Sequence, residues 1–420
     1  MSSGIAALAK SRSASVNVRR DVPQQAAAPD PKLADPERLK PFPLTDTQEA
    51  YWLGRQSAFE LGGTSLHSYR ESEIENLDLE RLNDAWLMLV QRHEALRTVV
   101  TESGTQRLVG DIPPYRIALT DLSGADSAAV ERHLQTTRQE MSHRLFPLEV
   151  WPHWDIRATQ LSGQRTRLHI SFDGILIDDR SYQILIREWF KLYRSPTTRL
   201  PPLGFSFREY VLAERAQRDS PPYQTDLRYW QQRITTLPAA AELPLLPGPK
   251  PSGNTRFTRY QDRLDPLAWA QLKKLCASCQ ITTAGLLLSC FMEVLSRWSK
   301  SSELTVSVPT LNRPPFHADI NDVVGDFGSF ILVGNDGATD GTFLDRIRTV
   351  QQRLWEGLEH DRVSGVRILR ELMRHKKAVA AVQMPIVFTM ASSLKDPQRT
   401  DQPPTEQRST AGGAQAESVA

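Results

Sequence analysis

Apolar residues recur at Leu82, Trp86, Leu89, Val90 and Leu96 within LERLNDAWLMLVQRHEALR, and gaps of three and four predict a helix with one buried face. RSYQILIREWFKLYR (180–194) repeats that period, with Tyr182, Leu185, Ile186 and Trp189 facing one way. Between them the stretch 167–172 (RLHISF) alternates as a strand does and stops at Asp173. Nearer the start, TDTQEAYWLGR follows Pro43 and predicts a short helix with Thr45 as its N-cap.

The loop RSPTTRLPPLGF is rich in proline and predicts a boundary between two halves. Beyond it the pattern predicts helices around 206–234 and 266–298, a strand at LTVSVPT, a helix at TFLDRIRTVQQRLWEGLEH and a strand at MPIVFTM. Mixed elements in two halves imply an α/β or α+β protein of two lobes with a cleft between them. The organisation expected is a disordered leader over 1–36, an N-terminal lobe over 37–200, a C-terminal lobe over 201–394 and a disordered tail over 395–420. Both end segments lack aromatic residues and are too polar to offset the entropy of ordering.

Composition narrows the function. With 420 residues, 40% of them hydrophobic, the chain can bury a large core. A net charge of +2, from 51 basic and 49 acidic residues, gives no sign of a nucleic-acid or anionic-membrane partner. Neither a signal peptide nor a run of apolar residues long enough for a membrane span is visible, and three cysteines suit a reducing compartment, so a cytoplasmic location is expected. Cys276 and Cys279 form a C-x-x-C without a second ligand pair, within a helical pattern; they read as two small residues on one helix before they read as a zinc or redox site.

Short strings carry more. Phe42 to Arg55 (FPLTDTQEAYWLGR) matches FPLTxxQxAYxxGR, the opening signature of heterocyclisation domains of nonribosomal peptide synthetases, a branch of the condensation-domain superfamily. RHEALRTVVTESGTQ, LPAAAELPLLP, ITTAGLLLSCFMEVLSRW, DRVSGVRILREL and PIVFT resemble further motifs of that family, in order, over about residues 41–394. Most condensation domains carry HHxxxDG where heterocyclisation domains carry DxxxxDxxS, and this chain reads Asp173-Gly174-Ile175-Leu176-Ile177-Asp178-Asp179-Arg180-Ser181. Gly174 fills the histidine slot, and His169 lies too far upstream to stand in.

The resemblance implies a two-lobed fold like chloramphenicol acetyltransferase with an inter-lobe tunnel for phosphopantetheine arms. It implies that an acyl or peptidyl thioester on a donor carrier is joined to a cysteinyl, seryl or threonyl thioester on an acceptor carrier and closed to a thiazoline or oxazoline. Peptidyl carrier proteins and other synthetase modules are the implied partners; the domain itself is expected to need no metal or redox cofactor, the 4′-phosphopantetheine belonging to the carriers. By the same resemblance Asp178 pairs with Arg313, an arginine of the other lobe, as an inter-lobe salt bridge and a matter of architecture, and Asp173 either orients the acceptor thioester or only terminates its strand. Ser181 need be no more than a helix-side hydroxyl. Asp326 lies in GDFGSFILV, a motif retained as an altered loop with Gly328 in place of threonine.

Thr389 is the implied hydroxyl of the cyclodehydration step, in which a thiol or hydroxyl attacks the new amide and water leaves. The aspartate that accompanies it in the family, on a TPQVWLD-like strand, has no counterpart, so the last elements of the second lobe are expected to be missing or replaced. Two rival readings follow: a domain that condenses without cyclising, and a non-catalytic remnant or docking platform. His93 and His360 match family positions and are read as ordinary packed histidines.

Overall fold

The computed structural model describes residues 36–55, 65–244, 260–337, 341–376 and 384–390. The tail expected over 395–420 and all but the last residue of the leader expected over 1–36 lie outside them. Two compact units are present. The first comprises the described residues up to Ala216 together with Arg313–Phe327; the second comprises Gln217–Asn312 and the described residues from Gly328 onward. Helix Phe207–Ala216 and the segment carrying Arg313 therefore belong with the first unit, whereas the proline-rich loop had suggested a division at 200.

In the first unit a short strand β1 (Phe42–Pro43) leads into α1 (Asp46–Gly54). Thr45 caps that helix: its Oγ1 accepts from Gln48 N at 3.1 Å and the Gln48 side chain returns a bond to Thr45 N, which satisfies two otherwise orphan amides. β2 (His67–Glu75), α2 (Leu79–Arg92), β3 (Thr98–Val100), β4 (Thr105–Leu108) and β5 (Ala118–Asp121) follow, then α3 (Ser127–Ser142), β6 (Trp154–Gln160), β7 (Arg165–Asp173), α4 (Asp179–Arg194) and α5 (Phe207–Ala216). The main sheet runs β2-β7-β6-β5, antiparallel except for the parallel β5–β6 pair, and β1-β4-β3 make a small second sheet.

Strand alternation divides the residues of β7 between two environments. Leu168, Ile170 and Phe172 join the core with α2 and α4, where Trp86 packs on Trp154 and Trp189 at ring distances of 5.0 and 4.8 Å. His169 and Ser171 point to the side of α3, where Ser171 Oγ donates to the Met141 carbonyl at 3.1 Å. The helical pattern is thus confirmed over α2 and α4, except that Ile186 is only partly buried while Ile184 and Phe190 are core. β2 and α3 carry no strong apolar period and are not among the predicted elements; nor is β6, although its Trp154, Ile156 and Ala158 alternate into the core.

Burial has an electrostatic consequence. His67, His93, His153 and His169 are all buried, and burial lowers the pKa of each; that of His169 falls to about 4. Between pH 6.5 and 4 the unfolded chain binds a proton at His169 that the folded one refuses, so stability falls as pH drops through that window. His169 alone contributes a loss of up to about 3 kcal/mol, complete near pH 4. Urea melts at pH 7.5 and pH 5 should show a lower midpoint at pH 5, and His169→Gln should flatten the difference.

The second unit contains α6 (Pro221–Arg233), α7 (Pro266–Ser278), α8 (Thr283–Trp298), β8 (Leu304–Leu311), β9 (Gly328–Asn335), α9 (Phe343–Glu359) and α10 (Gly365–Lys376). β8 and β9 pair antiparallel, and single parallel bridges join β8 to Ala240 and Val387. The strand predicted at MPIVFTM is thus reduced to one bridge, Ser307–Val387. The string GDFGSFILV, expected as a loop, is loop only as far as Phe327; from Gly328 it is β9. Leu288, Met292, Val306, Val333, Leu354 and Ile368 form the centre of this unit's core. No single helix among the described residues is long and apolar enough to cross a membrane.

Candidate functional site

The DxxxxDxxS segment lies where β7 ends and α4 begins, wholly within the first unit. Asp173 is fully buried. Its Oδ1 accepts from Ile175 N at 3.0 Å, its Oδ2 takes a charge-assisted bond from Arg55 Nη2, and Arg55 Nη1 donates to the Phe146 carbonyl at 3.1 Å. Both oxygens are thus committed to fixing the turn that follows the strand. Gln48 Nε2 donates to the Ile175 carbonyl at 2.8 Å, and Gln106 Nε2 donates to Gln48 Oε1 at 2.9 Å and to the Pro43 carbonyl at 2.9 Å. Three specified letters of the opening signature, Thr45, Gln48 and Arg55, therefore build one polar brace beneath residues 173–175.

Gly174 has a physical reason to lack a side chain. A Cβ there would lie 2.5 Å from Leu66 Cγ and 2.8 Å from Leu66 Cβ, and the backbones are tied by a Gly174 N to Leu66 O bond of 2.7 Å. Leu66 thus occupies the space into which a side chain at position 174 would project.

The second half of the segment is a buried knot. Asp178 caps α4, accepting from Ser181 N at 2.6 Å, and Arg313 Nη2 reaches its two oxygens at 3.3 and 3.2 Å. Phe327 N donates to Asp178 Oδ2 at 3.2 Å. Arg313 Nη1 donates to the carbonyls of Ile320 and Val323, both at 2.8 Å, and its guanidinium lies 3.8 Å from the centre of the Phe327 ring. Burial pushes the Arg313 guanidinium below its ordinary pKa, while Asp178 acts to raise it. Ser181 does more than its position on the helix suggested: Oγ donates to the Gly325 carbonyl at 2.8 Å and accepts from Gly325 N at 3.1 Å and Arg313 Nη2 at 2.9 Å. Gly325 is required by close packing, since a Cβ would fall 2.1 Å from the Phe207 ring. Asp326 is buried beside this knot, and the phenol of Tyr51 is raised in pKa by burial and by the charge of Asp326.

Asp173, Asp178, Ser181, Arg313 and Asp326 therefore gather in one unit. Thr389 lies in the second unit, exposed, beside Phe388, whose amide donates to the Ser307 carbonyl at 2.9 Å. His93 and His360 are both engaged: His93 Nε2 lies 2.8 Å from Glu188 Oε2, and His360 Nδ1 lies 3.0 Å from Asp226 Oδ1. No group of His, Cys, Asp or Glu side chains suited to a metal ion occurs among the described residues. Arg55, Gln48 and Gln106 had a signal as letters of the quoted motifs; Leu66 and Phe207 had none, because their roles depend on contacts far along the chain.

The family model of the condensation domain matches residues 40–418. The chain belongs to the condensation-domain family. Among the relatives this domain resembles, pyochelin synthetase PchF of Pseudomonas aeruginosa is 36% identical over 351 residues, 83% of this chain and 19% of that protein. Phenyloxazoline synthase MbtB of Mycobacterium tuberculosis is 35% identical over 367 residues, 85% of this chain and 25% of that protein. The domain thus spans about a fifth to a quarter of the length of these curated relatives. Among solved structures, the EpoB cyclization-docking bidomain of a nonribosomal peptide synthetase from Sorangium cellulosum superposes with a TM-score of 0.78 at 36% identity, covering 88% of this chain and 73% of that one. The mixed helix and strand architecture is that of the condensation-domain fold.

Proposed function

We propose that this domain joins a carrier-bound acyl or peptidyl donor to a cysteinyl, seryl or threonyl thioester and then closes the product to a thiazoline or oxazoline. The observation that carries this reading is the Gly174–Leu66 contact beside the braced Asp173: the heterocyclisation signature and the DxxxxDxxS segment are one physical unit, built without a histidine at position 174. Similarity to a phenyloxazoline synthase and to a cyclization-docking bidomain supports the same reading. Donor and acceptor carrier proteins supply the phosphopantetheine, and the domain's own chemistry uses no metal.

Within this reading the residues divide by role. Asp173 and Arg55 hold the turn, while Asp178, Ser181 and Arg313 hold the start of α4 against Gly325. In the condensation step the acceptor amine attacks the donor thioester carbonyl and the thiol of the donor pantetheine leaves. In the cyclisation step the side-chain thiol or hydroxyl adds to the new amide carbonyl and the resulting hydroxyl departs as water, a step served by a hydroxyl that orients proton transfer. Thr389 is that hydroxyl. Thr389→Ala should leave the uncyclised amide forming at its normal rate while the dehydrated ring forms at least about tenfold more slowly. Mass spectrometry of the acceptor carrier separates the two products. Equal dehydration by the wild type and the variant would remove Thr389 from the mechanism, and a wild type that makes only the uncyclised amide would reduce the domain to condensation.

A further inference from the structure

A cavity of about 640 Å³ opens in the first unit between the end of α2, the end of α4 and the proline-rich loop after it. Met88, Leu200, Pro201, Phe205 and Val324 give it a largely apolar wall. Its volume is that of a small-molecule site, and such sites combine apolar walls with a few fixed polar groups. Among its polar groups, His93 and Arg92 are held by one carboxylate. His93 is 1% exposed, with Nε2 at 2.8 Å from Glu188 Oε2, and Arg92 Nε donates to the same oxygen at 3.1 Å. Burial lowers the His93 pKa, so near neutral pH the ring is uncharged and donates from Nε2 to the carboxylate. A single hydrogen-bonded unit thus sets the wall: Arg92 also bonds the Pro201 carbonyl, which ties the proline loop to α2.

The charges around the cavity are unevenly matched. Arg92 is paired with Glu188, and Arg38, also lining it, is paired with Glu94 and lies 3.7 Å from Glu209. Arg199 lines the same cavity, is exposed, and makes no hydrogen bond or ion pair among the described residues. One cation therefore stands unmatched beside an apolar recess whose carboxylates are already engaged. The geometry points to a binding site for an amphipathic monoanion, with an apolar aliphatic or aromatic body in the recess and one carboxylate at Arg199. This site is separate from the residues assigned to condensation and cyclisation, and it stands whether or not that assignment does.

Titration calorimetry on the full chain with sodium octanoate and sodium 2-naphthoate tests it. At least one of the two should bind saturably at one site, and octylammonium, equal in chain length and opposite in charge, should bind at least tenfold more weakly than octanoate. Arg199→Glu should raise the dissociation constant at least tenfold with an unchanged melting temperature. Met88→Trp, at a position 39% exposed, should fill the recess and abolish binding. Arg199→Glu carries the test alone if the larger side chain at position 88 unfolds the protein. The site is overturned if neither carboxylate binds saturably, if Arg199→Glu binds as the wild type does, or if octylammonium binds as well as octanoate.

Discussion

Arg313→Leu should lower the free energy of unfolding of the first unit by about 3–5 kcal/mol, because it leaves the buried Asp178 carboxylate without its cation. The side chains of Arg313 and Asp178 are 5% and 4% exposed, so water cannot replace the lost partner. The guanidinium also serves the carbonyls of Ile320 and Val323 and the Ser181 hydroxyl, and each becomes an unsatisfied acceptor or loses a bond. Arg313→Lys keeps the charge but not the planar fork, and should recover only part of the loss. Chemical denaturation followed by tryptophan fluorescence reads this directly, since Trp86, Trp154 and Trp189 sit in the core of the same unit. A loss below about 1 kcal/mol, the scale of an exposed ion pair, would contradict the buried knot.

Asp173→Ala should be equally severe, at about 3–5 kcal/mol, because it strands the largely buried Arg55 guanidinium and removes the acceptor for Ile175 N. Its effect on the reaction separates a positioning residue from one that transfers protons. If Asp173 only holds the turn, condensation and cyclisation fall together with the folded fraction. The double variant Asp173→Ala/Arg55→Met, which removes both charges, should then recover much of the stability. A folded Asp173→Ala protein that condenses normally and has lost cyclisation alone would instead give Asp173 a direct part in the cyclisation chemistry.

What the sequence disclosed depended on how local the determining physics was. α2 and α4 were legible because their apolar period is written into consecutive residues, and the cap at Thr45 because its partner Gln48 is three residues away. β2 was not legible: HSYRESEIE is mostly charged or polar, since one side of it carries Glu71 and Glu73, which are satisfied by Arg138, Arg165 and Arg167. A strand stabilised by ion pairs from two other elements leaves no apolar alternation to read. The site was legible as motifs, which gathered Asp173, Asp178, Ser181 and Arg313, but their geometry was not. That Arg55 reaches across 118 positions to Asp173, or that Leu66 fills the space beside Gly174, follows only from the folded chain. The same limit explains Arg313, which comes from a segment between two strands of the second unit yet packs with the first.

A domain that both condenses and cyclises, as proposed for this one, leaves a dehydrated product on its acceptor carrier. Purified chain would be mixed with a donor carrier protein bearing an acyl thioester and an acceptor carrier bearing cysteinyl thioester, and the acceptor followed by intact mass. The expected result is an acceptor whose mass equals the condensed product less one water, with the uncyclised amide only transient. An acceptor that stops at the amide, or never receives the acyl group, would contradict it.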